Sequence, residues 1–277
     1  MNNYDTMLAG LKDLVDNPTP RVPVALCLDV SGSMTGTPIR ELNDGVQQYL
    51  TEIQEDDLTR YSVETALVSF ATGAECVSDF EMAERIQQPQ MQAGGITCMG
   101  EGVSLALDLL EQRKNAYKAT GVDYYQPILV LMSDGAPNGD PRILNEAVQR
   151  VQDLCGQRRL TVIAVGIGPD ADLDMLARFS PRRKPVHLHE LQFREFFAWL
   201  SQSVANVSAS LPGDEADLDM DTLDALEAEP WPADTLCGGG KPPHKAIGEG
   251  VRKKLIKRPL QGNCGGLIKE KALLLVL

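Results

Sequence analysis

Apolar and polar residues alternate along the chain in ways that predict strands and helices. Three short runs are almost continuously apolar and end in turn residues: PVALCLDV (23–30), QPILVLMSD (126–134) and LTVIAVGIG (160–168). Such runs are typical of central parallel strands that helices cover on both faces. A Thr-Gly turn separates YSVETALVSF (61–70) from AECVSDF (74–80), and this pair predicts a hairpin with one antiparallel strand at the sheet edge.

Segments with a helical period lie between these runs. Apolar residues recur at helical spacing through residues 38–54, 99–118 and 141–154. A short strand at 185–190 and a helix from 193 to about 208 continue the alternation. Strands that alternate with helices of this length form right-handed crossovers. We therefore predict an α/β fold: a doubly wound, mostly parallel, Rossmann-like sheet with helices on both faces and one antiparallel edge strand.

The alternation of strands and helices ends near residue 209, and the composition then changes. We predict an N-terminal extension or helix at 1–19, one domain at 20–209, an acidic linker at 210–236 and a basic, Gly- and Lys-rich tail at 237–277. Within the linker, the stretch LPGDEADLDMDTLDALEAEP holds eight acidic residues and no basic one. This composition is typical of a disordered arm or an interaction segment.

Charge and cysteine content narrow the classes of function. Residues 238–277 hold 9 of the 26 basic and 2 of the 39 acidic residues, so residues 1–237 carry 17 minus 37, or −20, and the tail carries +7. An acidic domain argues against nucleic acid as the main partner. No stretch is long enough to cross a membrane, the N-terminus lacks the apolar segment of a secretory signal, and no two cysteines form a CxxC pair. We expect a cytoplasmic protein with reduced cysteines and no membrane contact.

Oxygen-bearing side chains cluster where the predicted strands end. With the expected strand order 3-2-1-4-5-6, ligands bind at the carboxyl ends of the strands, between the first and the fourth. Asp29 ends the first strand and Asp134 the fourth, and the repulsion of two carboxylates demands a cation or a proton. Ser31 and Ser33 follow at alternate positions, and Thr97 lies on a glycine-rich loop. Oxygen ligands favour Mg²⁺, with Mn²⁺ or Ca²⁺ as alternatives, over zinc or copper.

These residues carry a resemblance to a known family. DVSGS (29–33), the Thr97 loop and SDG (133–135) resemble the metal-ion-dependent adhesion site of von Willebrand factor type A (vWA) domains, over roughly residues 20–208. More narrowly, LALDLLEQRKNAYKATGVDYYQPILVLMSDGAPN is similar to bacterial TerY-type proteins, which are associated with tellurium resistance. One departure stands out: the loop reads GGIT, whereas relatives usually have the glycines directly before the threonine.

The resemblance implies a role for each of these residues. Ser31 and Ser33 would bind the metal through their hydroxyls, and Thr97 directly or through water. Asp29 and Asp134 would bind it largely through bound water or in a mixed inner and outer shell. One open coordination position would accept an acidic side chain of a partner protein. The expected function is thus metal-dependent protein recognition, without enzymatic activity. The TerY resemblance places it in a tellurium, stress-response or phosphorylation-linked system, with a kinase, a phosphatase or other tellurium-resistance proteins as partners.

A phosphoryl-transfer enzyme is the competing interpretation. With Asp29 as nucleophile, it would also place carboxylates and Mg²⁺ at strand ends. However, the fifth strand ends in GIGPD, without the lysine that commonly neutralises the phosphoryl oxygens, and the chain has no GxxxxGK phosphate loop. DVSGS also fits a simple helix N-cap, which is compatible with metal binding.

The tail leaves further alternatives open. Cys237, His244 and Cys264 are reminiscent of the zinc-binding C-terminal part of some TerY-like chains, although their loose spacing is weak support. For residues 237–277 the sequence leaves four interpretations: a folded segment, a zinc-binding segment, a flexible tail, or a segment foreign to the natural protein. The sequence names neither the partner, nor the cellular process, nor the oligomeric state.

Overall fold

The computed structural model describes residues 17–87, 90–188 and 192–210, together with Leu14, Leu218, Thr222 and Leu223. Its strands are β1 (Val22–Asp29), β2 (Val63–Phe70), β3 (Ala74–Met82), β4 (Ile128–Ser133), β5 (Thr161–Ile167) and β6 (Val186–Leu188). They form one six-stranded sheet in the order β3-β2-β1-β4-β5-β6. Neighbouring strands run parallel except for the β2–β3 pair, which is antiparallel. The predicted fold class, strand order and antiparallel edge strand are confirmed.

Helices cover both faces of this sheet. They are α1 (Thr37–Glu55), α2 (Thr59–Ser62), α3 (Met99–Thr120), α4 (Pro141–Gly156), α5 (Leu173–Phe179) and α6 (Phe193–Ser208). Helices α1 and α6 pack against each other, as do α3 and α4. The long helices follow the predicted periodicity, whereas α2 and α5 were not predicted. A side-chain cap starts α5, because Asp172 accepts a hydrogen bond of 2.9 Å from the backbone N–H of Met175.

The central strands are apolar throughout because both faces of the sheet are buried. Every residue of β1, β2, β4 and β5 is buried. Along β1, Val24 and Leu26 belong to the core that also contains residues of α1 and α6, whereas Ala25 and Cys27 belong to the core with residues of α3 and α4. The period-2 alternation of a strand therefore supplies apolar side chains to two separate cores.

A buried ion cluster joins the amino ends of β1 and β2 to helix α3. The fully buried carboxylate of Glu64 accepts hydrogen bonds from Arg113 Nε (2.6 Å) and Nη2 (2.8 Å), Arg21 Nε (3.2 Å) and the Tyr117 hydroxyl (2.5 Å). Arg21 also donates to the backbone carbonyl of Asn17 at 2.8 Å. These charge-assisted bonds tie together segments that are far apart in sequence.

Helix α6 ends at this same edge of the sheet, where the parallel strands have their amino ends. The Tyr125 hydroxyl, just before β4, donates to the backbone carbonyls of Ser208 (3.2 Å) and Ser210 (2.8 Å). Beyond them, Leu218 and Leu223 are buried in the core on the α1–α6 side. The chain therefore returns to the fold after Ser210.

The remaining predicted segments are largely outside the described residues. These are most of the extension at 1–19 and of the linker at 210–236, and the whole tail at 237–277 with its candidate zinc ligands. The chain divides into two units, Met1–Pro230 and Trp231–Leu277. Within the described ranges, no helix has both the length and the apolar character needed to span a membrane.

Candidate metal site

Two neighbouring strands deliver the two predicted carboxylates to one edge of the sheet. Asp29 is the last residue of β1, and Asp134 directly follows Ser133, the last residue of β4. The two strands pair in parallel, with Leu28 opposite Met132. The carboxylates therefore leave the sheet side by side at its carboxyl end, where α/β folds bind their ligands.

Four of the five predicted site residues form one hydrogen-bonded chain. Asp29 Oδ1 accepts a bond of 2.8 Å from the backbone N–H of Ser31. The hydroxyls of Ser31 and Ser33 lie 3.0 Å apart, and Ser33 Oγ donates to Asp134 Oδ1 at 2.8 Å. Oxygen atoms from residues about one hundred positions apart in sequence thus converge on one place.

The turn after β1 brings the two serine hydroxyls together. Ser31 is extended (φ −66°, ψ 175°), but Gly32–Met34 forms a single 3-10 turn closed by a bond of 3.1 Å from Met34 N–H to the Ser31 carbonyl. Met34 is fully buried and anchors this turn in the core. The two hydroxyls therefore meet because the backbone turns at Gly32–Met34, whereas their alternate positions would make them point the same way only in an extended segment.

The glycine-rich loop before Thr97 is attached to this turn by its backbone. Gly94 N–H donates to the Val30 carbonyl (2.8 Å), and Gly32 N–H donates to the Gly95 carbonyl (3.1 Å). Gly95 has φ +81°, and a Cβ atom there would collide with the Thr72 hydroxyl. Only glycine allows this backbone to approach so closely without strain.

Thr97 itself is fixed to the loop that follows Asp134. Its N–H donates to Asn138 Oδ1 at 2.6 Å, and Asn138 N–H donates back to the Thr97 carbonyl at 3.1 Å. Thr97 is buried, whereas the preceding Ile96 is exposed. The structure thus places the Thr97 loop between the two carboxylate-bearing segments, joined to them by backbone contacts.

Burial makes the charge of Asp29 unfavourable. Desolvation raises the pKa of Asp29 above its usual value of 3.8; hydrogen bonds from Ser133 and Ser31 lower this pKa, and the charge of Asp134 raises it further. Ser133 Oγ donates to Asp29 Oδ2 at 2.5 Å, so both carboxylate oxygens are hydrogen-bonded. A nearby cation would relieve this cost.

Desolvation raises the pKa of Asp134 as well. The hydrogen bond from Ser33 lowers this pKa, and the charge of Asp170, on the loop after β5, raises it again. Asp134 is only half-buried and Asp170 is exposed. At the carboxyl ends of the strands, the charge of Asp170 thus acts on Asp134, and the charge of Asp134 acts on Asp29.

Three residues of the site were missed by sequence reasoning: Ser133, Asn138 and Asp170. The sequence did contain a signal for Ser133, because it is the last residue of the strand next to β1. Its hydroxyl can therefore reach Asp29 at the end of β1. Asn138 and Asp170 had none, since their positions depend on how the loops after β4 and β5 pack.

The donor set fits a hard divalent cation. Asp29 and Asp134 supply carboxylates, and Ser31, Ser33 and Thr97 supply hydroxyls, which together are ligands of Mg²⁺, Mn²⁺ or Ca²⁺. In the described part of the chain, no three His, Cys, Asp or Glu side chains group so that they could hold a metal ion. A site with two carboxylates and three neutral hydroxyls does not need such a group.

Comparison with known proteins identifies the domain. The sequence profile of the von Willebrand factor type A domain matches residues 24–195. The fold is similar to that of the vWF domain of the type V pili tip protein Mfa5 from Porphyromonas gingivalis, with 13% identity and a TM-score of 0.51 over 68% of this chain and 96% of that chain. It is also similar to a von Willebrand factor type A structure from Catenulispora acidiphila, with 18% identity and a TM-score of 0.50 over 67% of this chain and 42% of that chain.

A third structure with this fold is the pilus adhesin SpaC from Lactobacillus rhamnosus GG in its open conformation. It is 15% identical to the chain, with a TM-score of 0.52 over 68% of this chain and 30% of that chain. None of these three is described as a TerY-type protein, and no curated protein matches the chain. Identities this low show the fold alone, but the family profile covers more than half of the sequence. The chain belongs to the von Willebrand factor type A domain family.

Proposed function

We propose that the chain is a recognition module in which a bound Mg²⁺ ion captures an acidic side chain of a partner protein. Domains of this family commonly act in metal-dependent protein–protein interaction through a metal-ion-dependent adhesion site. The residues that would hold the ion are Asp29, Ser31, Ser33, Thr97 and Asp134. The observation that carries the proposal is the hydrogen-bonded chain that runs from Asp29 through both serines to Asp134.

The donor chemistry supports capture of a carboxylate. If Asp29 and Asp134 act largely through bound water, the oxygens in direct contact with the ion are mainly neutral hydroxyls. These leave much of the ion's charge unbalanced, so an incoming carboxylate is strongly attracted to it. Asp29 and Ser31 are buried beneath the site, whereas Ser33 is exposed. A partner would therefore reach the ion from the Ser33 side.

The burial of Asp29 favours recognition over phosphoryl transfer. A nucleophilic carboxylate must contact the substrate. Asp29 is fully buried, and both of its oxygens already accept hydrogen bonds from Ser31 and Ser133. Its geometry suits a carboxylate that holds the turn and the ion, and we propose that the chain has no phosphoryl-transfer activity.

The finer parts of the proposal rest on sequence. The similarity of residues 105–138 to TerY-type proteins is the support for a tellurium or stress-response system with a kinase or phosphatase among the partners. We also propose a cytoplasmic location, in which thiols stay reduced; among the described residues, Cys27, Cys76, Cys98 and Cys155 are free thiols. The acidic charge of residues 1–237 is the support for a protein partner and against nucleic acid.

Metal titration by calorimetry tests the site. Ser33→Ala removes the exposed hydroxyl that donates to Asp134 in the hydrogen-bonded chain of the site. The matched control is Thr35→Ala, which removes an exposed hydroxyl two residues away that donates to the Gly32 carbonyl. We expect wild type and Thr35→Ala to bind Mg²⁺ equally, and Ser33→Ala to bind it at least about tenfold more weakly. Equal affinity in all three proteins would contradict the assignment.

Capture of partners tests the function. The full chain and Ser33→Ala are used as bait in lysate of the native cell, with and without EDTA, and bound proteins are identified by mass spectrometry. We expect a partner that is lost both with EDTA and with Ser33→Ala, and whose binding disappears when one of its acidic residues is changed to the amide. A bound set that responds to neither treatment argues against metal-dependent recognition.

A further inference from the structure

An exposed isoleucine stands beside the metal site. Ile96 directly precedes Thr97, and 45% of its surface is accessible to solvent. The large apolar residues that are exposed in the described part of the chain are Leu58, Tyr61, Val77 and Ile96. Of these, Ile96 lies on a loop of the metal site. Apolar surface left in water at this place is available for burial by whatever approaches the ion.

The backbone holds Ile96 from both sides. The carbonyl of Gly95 accepts a bond of 3.1 Å from Gly32 N–H, and Thr97 exchanges bonds of 2.6 Å and 3.1 Å with Asn138. The loop is thus fixed to the turn after β1 and to the loop after β4. A side chain presented on a rigid backbone loses little conformational freedom on binding, which favours its use as a contact.

The other exposed residues of the rim offer little apolar surface. Gly32, Ser33 and Gly94 are exposed and small, Ala136 and Pro169 are exposed but less bulky than isoleucine, and Asp170 adds a negative charge on the loop after β5. A segment that approaches the ion therefore meets one large aliphatic side chain, small residues and an acidic group. The apolar Ile96 side chain and the negative charge of Asp170 favour a partner with apolar residues around its carboxylate over a partner with a second acidic residue.

We propose that Ile96 is an apolar contact of the recognition surface, and that the partner presents one acidic residue flanked by an aliphatic residue. This inference rests on the proposed function of the site and adds to it the class of partner sequence. The ion binds the carboxylate, and Ile96 buries part of the neighbouring side chain. The departure from the usual loop sequence before Thr97 thereby determines specificity.

Three blocked peptides test the inference by NMR titration of the full chain in saturating Mg²⁺: Gly-Gly-Glu-Gly-Gly, Gly-Leu-Glu-Leu-Gly and Gly-Leu-Gln-Leu-Gly. We expect the leucine–glutamate peptide to bind about five- to tenfold tighter than the glycine–glutamate peptide, a difference of about 1.0 to 1.4 kcal/mol. The glutamine peptide should not bind. Ile96→Ala should abolish the preference.

Two control variants separate this role from a general effect on the fold. Ile96→Leu keeps an aliphatic side chain and should keep the preference. Leu58→Ala removes a similarly exposed residue, 41% accessible, that precedes β2 at the opposite end of the sheet, and it should also keep the preference.

The outcomes distinguish the two proposals. If wild type binds both glutamate peptides equally, or if Ile96→Ala retains the preference, the role of Ile96 is overturned while carboxylate capture stands. If neither glutamate peptide binds in the presence of Mg²⁺, carboxylate capture itself is overturned, and the role of Ile96 with it.

Discussion

Replacing Glu64 with glutamine should strongly destabilise the fold, because this one buried carboxylate pairs with the buried Arg21 and the largely buried Arg113. Each of its oxygens accepts two hydrogen bonds: Oε1 from Arg21 and Arg113, and Oε2 from Arg113 and Tyr117. Glutamine replaces one oxygen with a donor, so two of these bonds are lost and both guanidinium groups lose their counter-charge. Breaking a buried ion pair in this way costs about 3 to 5 kcal/mol of unfolding free energy.

Urea denaturation of Glu64→Gln and of the control Asp108→Asn measures this cost. Asp108 pairs with Arg150 at 2.7 Å, but these side chains are 55% and 44% exposed, so its loss should cost less than about 1 kcal/mol. Because Glu64 lies at the amino ends of the strands, the Mg²⁺ affinity of folded Glu64→Gln should equal that of wild type. If Glu64→Gln loses no more stability than Asp108→Asn, the cluster does not hold the fold together.

Two further predictions concern the metal site. Saturation with Mg²⁺ at about one hundred times its dissociation constant should stabilise wild type by about 2.7 kcal/mol, and Asp29→Asn should lose this gain. Asp140→Asn is the control: it removes the charge of the residue that caps α4, but asparagine still caps the helix. This variant should keep the stabilisation by Mg²⁺. Gly95→Ala should lower the unfolding free energy by about 1 to 2 kcal/mol and weaken Mg²⁺ binding, because of the positive φ and the contact with Thr72. Gly73→Ala, where a Cβ meets nothing within 4 Å, is its control, and thermal unfolding with and without Mg²⁺ reads out all four variants.

The sheet was predictable because its strands are buried on both faces. The run at 23–30 predicted β1 (Val22–Asp29) to within one residue, and the periodic segment at 38–54 predicted α1 (Thr37–Glu55) equally closely. Helix α5 (Leu173–Phe179) was missed because seven residues are too few for a helical period to stand out.

The site was predictable only as far as the ends of strands position its residues. Asp29 and Asp134 meet because β1 and β4 are neighbours, which follows from the expected strand order. The bond between Thr97 and Asn138 depends on how two loops pack, and no local pattern announces it. The Glu64 cluster is similarly non-local, since its partners come from before β1 and from α3. Residue types at strand ends thus predicted the chemistry, whereas the contacts that fix the geometry required the structure.

Buried charge is balanced differently at the two ends of the sheet. At the amino ends, Glu64 pairs with both Arg21 and Arg113 and balances one of their two positive charges from within the chain. At the carboxyl ends, Asp29 and Asp134 have only hydroxyl and backbone partners among the contacts described. The eight residues of β1 separate the poles by roughly 25 Å at about 3.3 Å per residue.

At that separation, one surplus positive charge at the amino ends contributes only about 0.7 kcal/mol to a carboxylate at an effective dielectric constant of 20. This is about half of the 1.36 kcal/mol that shifts a pKa by one unit, so the arginines do not neutralise the acidic pair. The carboxylates must therefore obtain their counter-charge from protons or from a cation in solution. In the proposed site, a divalent cation that contacts neutral hydroxyls directly and these carboxylates largely through water would keep an attraction for a partner's carboxylate.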